Sequence, residues 1–277
     1  MPRPRSTVLL ALPLALLVPA AAVASSNDHV EISATPQPVE VVPLPCFPSG
    51  KLTLGMTNTG RKPTIADMHV SGDLALTLSR HQFSSYLPVG QLVKAPLEIT
   101  VPRGTAPANH TVDLSIDRDH LKVPVVVQPV PVRDNVLLGE QAVASSTNGD
   151  MKLCGGVDGN TDSEQWGASG WHDATKGVFP DTYGVDLVQP TTIRRIVLQT
   201  LDSRRYPAAV MGLRDFDVQV RATQGGPWTT VQEFRGNTTG RLTVTFEPMA
   251  VVAVQVVVHD SNDHGYSRII ELEAYDN

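Results

Sequence analysis

The feature that most constrains this chain is alternation. Short runs in which every second residue is apolar recur along its length, broken by proline or glycine about every ten residues. Leu52, Leu54 and Met56 alternate with Lys51, Thr53 and Thr57, and Asn58-Thr59-Gly60 then supplies a turn. Met68 and Val70, then Leu74, Leu76 and Leu78, then Leu97, Ile99 and Val101, then Val112, Leu114 and Ile116 repeat the pattern, and residues 123–127 close the set. Successive side chains of a strand point to opposite faces, so each run reads as a strand with one buried face. The 22 prolines and 21 glycines are spread out rather than clustered, which suits many short strands and argues against a helical bundle.

The same pattern resumes further on. Phe216, Val218 and Val220 alternate with Asp215, Asp217, Gln219 and Arg221, and Val252, Val254, Val256 and Val258 do likewise. Val185 and Leu187, then Ile193, Ile196 and Leu198, and finally Ile270, Leu272 and Ala274 add further strands. Gly225-Gly226-Pro227 and Asn237-Thr238-Thr239-Gly240 are expected to turn hairpins. Between the two strand-rich stretches lies Gln128-Pro129-Val130-Pro131-Val132-Arg133-Asp134, where two prolines fix φ and remove donors. The chain therefore divides into residues 29–127, a short stiff linker at 128–134, and residues 135–277. Both parts are expected to be all-β: an immunoglobulin-like sandwich of about seven strands, then a jelly-roll sandwich of about eight.

The first residues read as a targeting segment. Arg3 and Arg5 precede an apolar run at 8–18 that is short for a bilayer span, and Ala22-Val23-Ala24 offers a cleavage site, giving a signal peptide at 1–24. The expected location is secreted, extracellular. Removal of both arginines leaves 20 basic against 28 acidic residues, a net charge near −8. That balance disfavours nucleic acid and anionic membranes, which need a basic footprint. A monomer without a transmembrane segment is expected. Cys46 and Cys154, the only cysteines, lie in different predicted domains. They either bridge the two or stay as separate buried thiols, and spacing alone does not decide.

Two resemblances follow from quoted residues. Lys51-Leu52-Thr53-Leu54-Gly55-Met56-Thr57-Asn58-Thr59-Gly60, with Pro102-Arg103-Gly104 further on, resembles the immunoglobulin-like NPCBM-associated domain of bacterial α-galactosidases, although residues 108–110 depart from its Gly-x-Tyr. That likeness implies a spacer. Residues 135–277 resemble the coagulation factor V/VIII type C, or discoidin, family, which includes carbohydrate-binding module family 32. Four stretches carry this: Asn135-Val136-Leu137-Leu138-Gly139 through Ala144-Ser145-Ser146, Val157-Asp158-Gly159-Asn160 through Trp166, Tyr183-Gly184-Val185-Asp186-Leu187, and Gly265-Tyr266-Ser267 through Glu271-Leu272-Glu273-Ala274-Tyr275.

The turn at Asp158 gathers oxygen ligands of the kind a hard cation needs, but Ser163 and Ser169 occupy the places where an EF-hand requires Gly and Glu. The discoidin resemblance implies instead a structural Ca²⁺. Its ligands would be the carboxylates of Asp158 and Glu271, the carbonyls of Gly155, Asn160 and Ile270, and Ser163 through hydroxyl and carbonyl. A hydrogen-bonded Asp turn without metal is the plain alternative.

Trp166 takes the place of a core residue in the family pattern. Three loops are expected to carry recognition: 167–177 with Trp171 and His172, 202–212 with Arg204 and Arg205, and 260–266 with Tyr266. Aromatic rings supply a flat apolar face, and Arg and His supply fixed hydrogen bonds, as sugar binding requires. The resemblance favours galactose-type sugars.

Catalysis finds no foothold. Asp215/Asp217 and Glu271/Glu273 sit two apart on one strand face, unlike carboxylates flanking a glycosidase cleft. No nucleophile elbow, zincin or phosphate-loop motif is present. The expectation is a secreted, non-catalytic carbohydrate-binding accessory protein. The alternative is a protein- or membrane-surface adhesion module using the same loops, with the apolar tip at 207–213 as its contact.

Overall fold

The computed structural model describes residues 30–277. The expected signal peptide at 1–24 lies outside the described residues. Strand is the dominant element, about 53% against 4% helix, as the alternation predicts.

The N-terminal part packs two sheets. Strands β1 (Val30–Thr35), β3 (Gly50–Asn58), β7 (Leu92–Thr100) and β5 (Thr77–Leu78) form one, in that spatial order. The other runs β2 (Val39–Val41), β9 (Asp119–Val127), β8 (Ala108–Ile116), β4 (Thr64–Gly72) and β6 (Gln82–Leu87), with β2 parallel to β9. The predicted apolar positions face each other across the two sheets: Leu52, Leu54, Met56, Met68, Leu97, Ile99, Val112, Leu114, Val123 and Val125 are all buried in one core. The turn residue Asn58 is buried too. Its amide donates to the carbonyls of Lys62 and Leu87, and its oxygen accepts from Gly60 N–H.

The run at 74–78 departs from expectation. Leu74 is fully exposed and only Thr77–Leu78 pair, because Leu76 N–H closes a turn onto the Asp73 carbonyl and bends the chain away. Strand β6, with polar residues at most exposed positions, carries too weak an alternation to be read from sequence.

The C-terminal part is built on two long bent strands, β12 (Asp181–Thr200) and β15 (Arg241–Ser261). They pair with each other, with register shifts between Asp186 and Thr191 and between Ile193 and Arg195. Such irregularities let one strand bend and serve both layers of a jelly roll. Around them lie β10 (Gln141–Ala144), β11 (Trp171–His172), β13 (Leu213–Arg221), β14 (Thr229–Phe234) and β16 (Arg268–Tyr275), in the order β11-β16-β12-β15-β13-β14 with β10 on β12. The residues at 225–227 turn the β13–β14 hairpin as expected. Those at 237–240 do not turn a hairpin: β13 lies between β14 and β15, and Asn237 is pinned to β13 through the carbonyls of Leu213 and Arg214.

The two parts are fastened together. Cys46 and Cys154 form a disulfide with Cα atoms 5.1 Å apart, which decides between the two states the sequence left open. Cys46 belongs to the C-terminal core, and its N–H donates to the Gly139 carbonyl. Nearby, Glu140 is buried and paired with Arg133 at 2.9 Å and with Arg103 of the N-terminal part at 3.5 Å. Burial pushes the Glu140 carboxyl up against the pull of both guanidinium groups. The linker at 128–134 is mostly exposed and is held through Arg133, which is bonded to the Leu138 carbonyl and to Glu140.

Candidate functional site

Two features converge at one end of the jelly roll. The first is a carboxylate pair at the root of the loop 156–169. Gly155 and Gly170 close the neck of this loop, Gly170 N–H donating to the Gly155 carbonyl at 2.8 Å. The approach is so close that a Cβ on Gly155 would lie 2.1 Å from the Gly170 oxygen, so only glycine fits. Inside the loop, Asp158 accepts from Asn160 N–H and from the Ser169 hydroxyl, and Asn160 Oδ1 accepts from Asp162 N–H. Glu271 reaches in from β16, fully buried, with Oε1 accepting from Gly159 N–H at 3.1 Å and Oε2 buried without a partner. Burial first, then the neighbouring Asp158 charge, pushes the Glu271 carboxyl up to about 9. The β12–β16 ladder steps from Glu271 to Ile269, bulging Ile270 out of register.

A buried, half-unpartnered carboxylate facing a second one, beside bulged backbone, fits a hard cation. Among the described residues no three His, Cys, Asp or Glu side chains gather to hold a metal, and a cation here would need carbonyl oxygens beside the two carboxylates. The Ser163 hydroxyl accepts from Asp202 N–H at 3.1 Å and links two loops.

The second feature is a strip of aromatic rings. Trp171, expected to contact ligand, is instead a core residue, 1% exposed. Residues 167–170 carry the chain past the surface loop, so Trp171 opens β11, packs 4.9 Å from the Tyr183 ring, and donates its indole N–H to the Ser146 carbonyl and Thr147 hydroxyl. Trp166, expected in the core, takes the surface position. It follows a short 3₁₀ turn at Ser163–Gln165 and is half-buried. Its ring lies 6.0 Å from His172 and 6.0 Å from Tyr206, and His172 lies 4.8 Å from Tyr266. All four rings are half-buried. Alternating patterns could not separate Trp166 from Trp171, because only the strand that begins at Trp171 tells them apart.

Each ring is held from outside itself. His172 Nδ1 lies against the Asp173 carbonyl, which can only accept, so Nδ1–H donates there and, in the tautomer with a single N–H, Nε2 is the acceptor. Buried Asp173 accepts from Ser267 N–H at 2.8 Å, tying the His172 loop to the Tyr266 loop. Tyr266 is supported by Arg268, whose guanidinium lies 5.4 Å from its ring centroid and donates to Asp263 and to the carbonyls of Met211 and Tyr266. Sequence reading missed Arg268, because a buried arginine inside a strand run looks like a solvated face.

Arg204 is almost fully exposed and pairs with Glu164 at 3.4 Å, while Arg205 sits over the Tyr206 ring at 5.2 Å. The tip at 207–213 folds into a short helix, α1 (Ala208–Met211), with Ala208 and Leu213 buried. Val210 is its large exposed apolar residue.

Residues 155–256 match the family model described as NedA-like, galactose-binding domain, of the F5/F8 type C group. Over those residues the chain is similar to a galactose-binding domain of that group. Similar solved structures include chitosan-binding module 1 of a chitosanase/glucanase from Paenibacillus sp. IK-5, 23% identical over 52% of this chain and 99% of that one, TM-score 0.43. They also include the family 32 module of C. perfringens NanJ in complex with galactose, 22% identical over 49% and 92%, TM-score 0.40. A Streptococcus pneumoniae fucose binding module is 16% identical over 53% and 100%, TM-score 0.44. No curated protein matches the chain.

Proposed function

We propose that the C-terminal domain binds carbohydrate, galactose-type sugars foremost, through the ring strip of Tyr206, Trp166, His172 and Tyr266. The observation that carries this reading is the 4.8 Å contact between His172 and Tyr266, which sets an apolar face beside the acceptor Nε2 of the imidazole. A pyranose needs both, because its C–H face seeks an aromatic ring while its hydroxyls need fixed partners. The match to a galactose-binding family model supports the sugar class. A shallow strip of this kind binds a single sugar weakly, with Kd on the order of 0.1–1 mM, since few ligand atoms are buried.

In the same reading Ca²⁺ is held by the carboxylates of Asp158 and Glu271 with the carbonyls of Gly155, Asn160 and Ile270 and with Ser163. The ion would supply the positive charge that two facing carboxylates lack. Asp158 and Glu271 would then join the loop that leads to Trp166 onto the last strand. The protein acts as an exported, non-catalytic accessory, with residues 30–127 as a spacer. The interdomain disulfide supports export, as such bonds persist in oxidising compartments. A glycan array read with calcium and with chelator tests the function. Signal on galactose-terminated glycans, weakened by chelator, is expected; absence of signal on every glycan with a folded protein would overturn it.

A further inference from the structure

The third tryptophan, Trp228, follows the turn between β13 and β14 and makes no contact with the loop-end rings. It is half-buried, and Arg221 covers one face of its ring, with the guanidinium 4.7 Å from the centroid. What the guanidinium leaves open lines a depression of about 120 Å³ on the outer face of the sheet.

Strand register builds this depression. Val218 and Val220 of β13, Val254 and Val256 of β15, and Tyr183 and Val185 of β12 lie in the core, so the residues between them point outward. Ala253 stands between Arg221 and Asp186 in one row of cross-strand partners, and in the next row Gln255 stands between Gln219 and Gly184. The small residues Ala253 and Gly184 leave a low floor between longer side chains. A Cβ at Gly184 would lie 3.0 Å from the Gln255 Cβ and the Val254 carbonyl, so glycine lets β12 and β15 approach while keeping that floor bare.

Polar groups around the floor are fixed but only partly used. Asp186 pairs with Arg221 at 3.0 Å through one carboxylate oxygen. Gln255 donates to Gln219 at 2.7 Å, and Gln219 donates on to the Thr230 hydroxyl at 3.1 Å, so the Gln255 amide is held in one orientation. Among the described residues the Trp228 indole N–H, the Gln255 Oε1 and the Thr182 hydroxyl have no hydrogen-bond partner. An open aromatic surface beside a donor, acceptors and a hydroxyl suits a ring that bears several hydroxyls. An anion would meet the Asp186 carboxylate and a cation the Arg221 guanidinium, so the pair selects a neutral ligand.

The depression is separate from the loop-end rings. Asp181, at the start of β12, accepts from the hydroxyl of Ser267 beside Tyr266. Gly184 and Asp186 lie about 10–17 Å further along the strand, at about 3.3 Å per residue. None of the residues lining the depression belongs to the loops that carry Trp166, His172, Tyr206 and Tyr266. One small ring cannot occupy both places.

We propose that this sheet face is a second binding site, for a single neutral pyranose, with Trp228 as its apolar surface and Gln255, Thr182 and Asp186 as partners for hydroxyls. It stands apart from the loop-end site and does not depend on it.

The experiment is an NMR titration of the isotope-labelled full chain with galactose, glucose, mannose and N-acetylglucosamine. It reads the Trp228 indole N–H signal, assigned by its loss in Trp228→Phe. That signal is expected to shift saturably with at least one of the four sugars, with Kd on the order of 1–10 mM. The response should persist in Tyr266→Ala. Affinity should fall about tenfold in Gln255→Ala and in Thr182→Val, which exchanges the hydroxyl for a methyl group, with melting curves showing each variant folded. No saturable shift with any of the four sugars at about ten times that Kd overturns the proposal. So does affinity unchanged in both variants, or a Trp228 response lost in Tyr266→Ala. Shifts at His172 and Tyr266 without one at Trp228 remove the second site and leave the loop-end reading standing, whereas a response at Trp228 alone does the reverse.

Discussion

The carboxylate of Glu271 accepts a hydrogen bond from the Gly159 amide at 3.1 Å, joining the last strand to the loop that carries the Asp158 turn. Its other oxygen is buried without a partner, and burial together with the Asp158 charge raises its proton affinity. If Ca²⁺ sits between these carboxylates, it stabilises the native state by mass action, by about 2.7 kcal/mol at a hundredfold excess over Kd. Calcium should therefore raise the melting temperature of the wild type and leave that of Asp158→Ala unmoved. Equal calcium responses in the two proteins would exclude the site.

Tyr266 and Trp171 make a paired test of binding against packing. Tyr266→Ala should abolish sugar binding while costing about 1 kcal/mol of stability, since a half-exposed ring supports little of the core. Trp171→Ala should cost about 3–5 kcal/mol, because it empties a buried site against Tyr183 and strands the acceptors at Ser146 and Thr147. Denaturant titration and glycan binding, run on both variants, check the contrast. Comparable stability losses would mean that the two rings have been misassigned.

The Cys46–Cys154 bridge closes a loop across 108 residues. Chain-entropy arguments give such a closure about 4–5 kcal/mol. The double variant Cys46→Ala/Cys154→Ala is expected to melt lower than the wild type under non-reducing conditions, and at the same temperature as the wild type treated with reductant. A variant that melts with the oxidised wild type would show that the bridge does not hold the domains.

Acid should act through Asp263. Burial opposes its ionisation, but hydrogen bonds from Arg268 and Ser261 outweigh burial and hold the carboxyl below its ordinary value. A depressed folded-state pKa contributes stability that is present above the unfolded value, near 3.9, and is lost as pH falls through the folded value. Asp263→Asn should therefore be less stable than wild type at neutral pH, with the gap closing in acid. Because Asp263 also anchors Arg268 beneath Tyr266, the variant should bind sugar more weakly at neutral pH. A stability gap that is constant across pH would contradict this account.

Much of this molecule was legible in its residues, and the reason is local. A strand buries alternate side chains, so Leu52, Leu54 and Met56 or Phe216, Val218 and Val220 declare both their structure and their inward face without reference to the rest of the chain. Likewise, Asp158, Glu271 and Tyr266 stand in motifs whose order along the chain could be read directly. Tertiary structure decided what depends on which distant segments meet. Cys46 finds Cys154 only because its segment packs into the C-terminal core, and Trp166 and Trp171, five places apart, exchange their expected parts because β11 pairs with β16 at the second and not the first. Arg268 is buried because Asp263 and the Met211 carbonyl come to it from other turns, a pairing that no periodicity encodes. Burial is a property of the neighbours a residue acquires, and for single aromatic and charged side chains those neighbours are chosen by the fold.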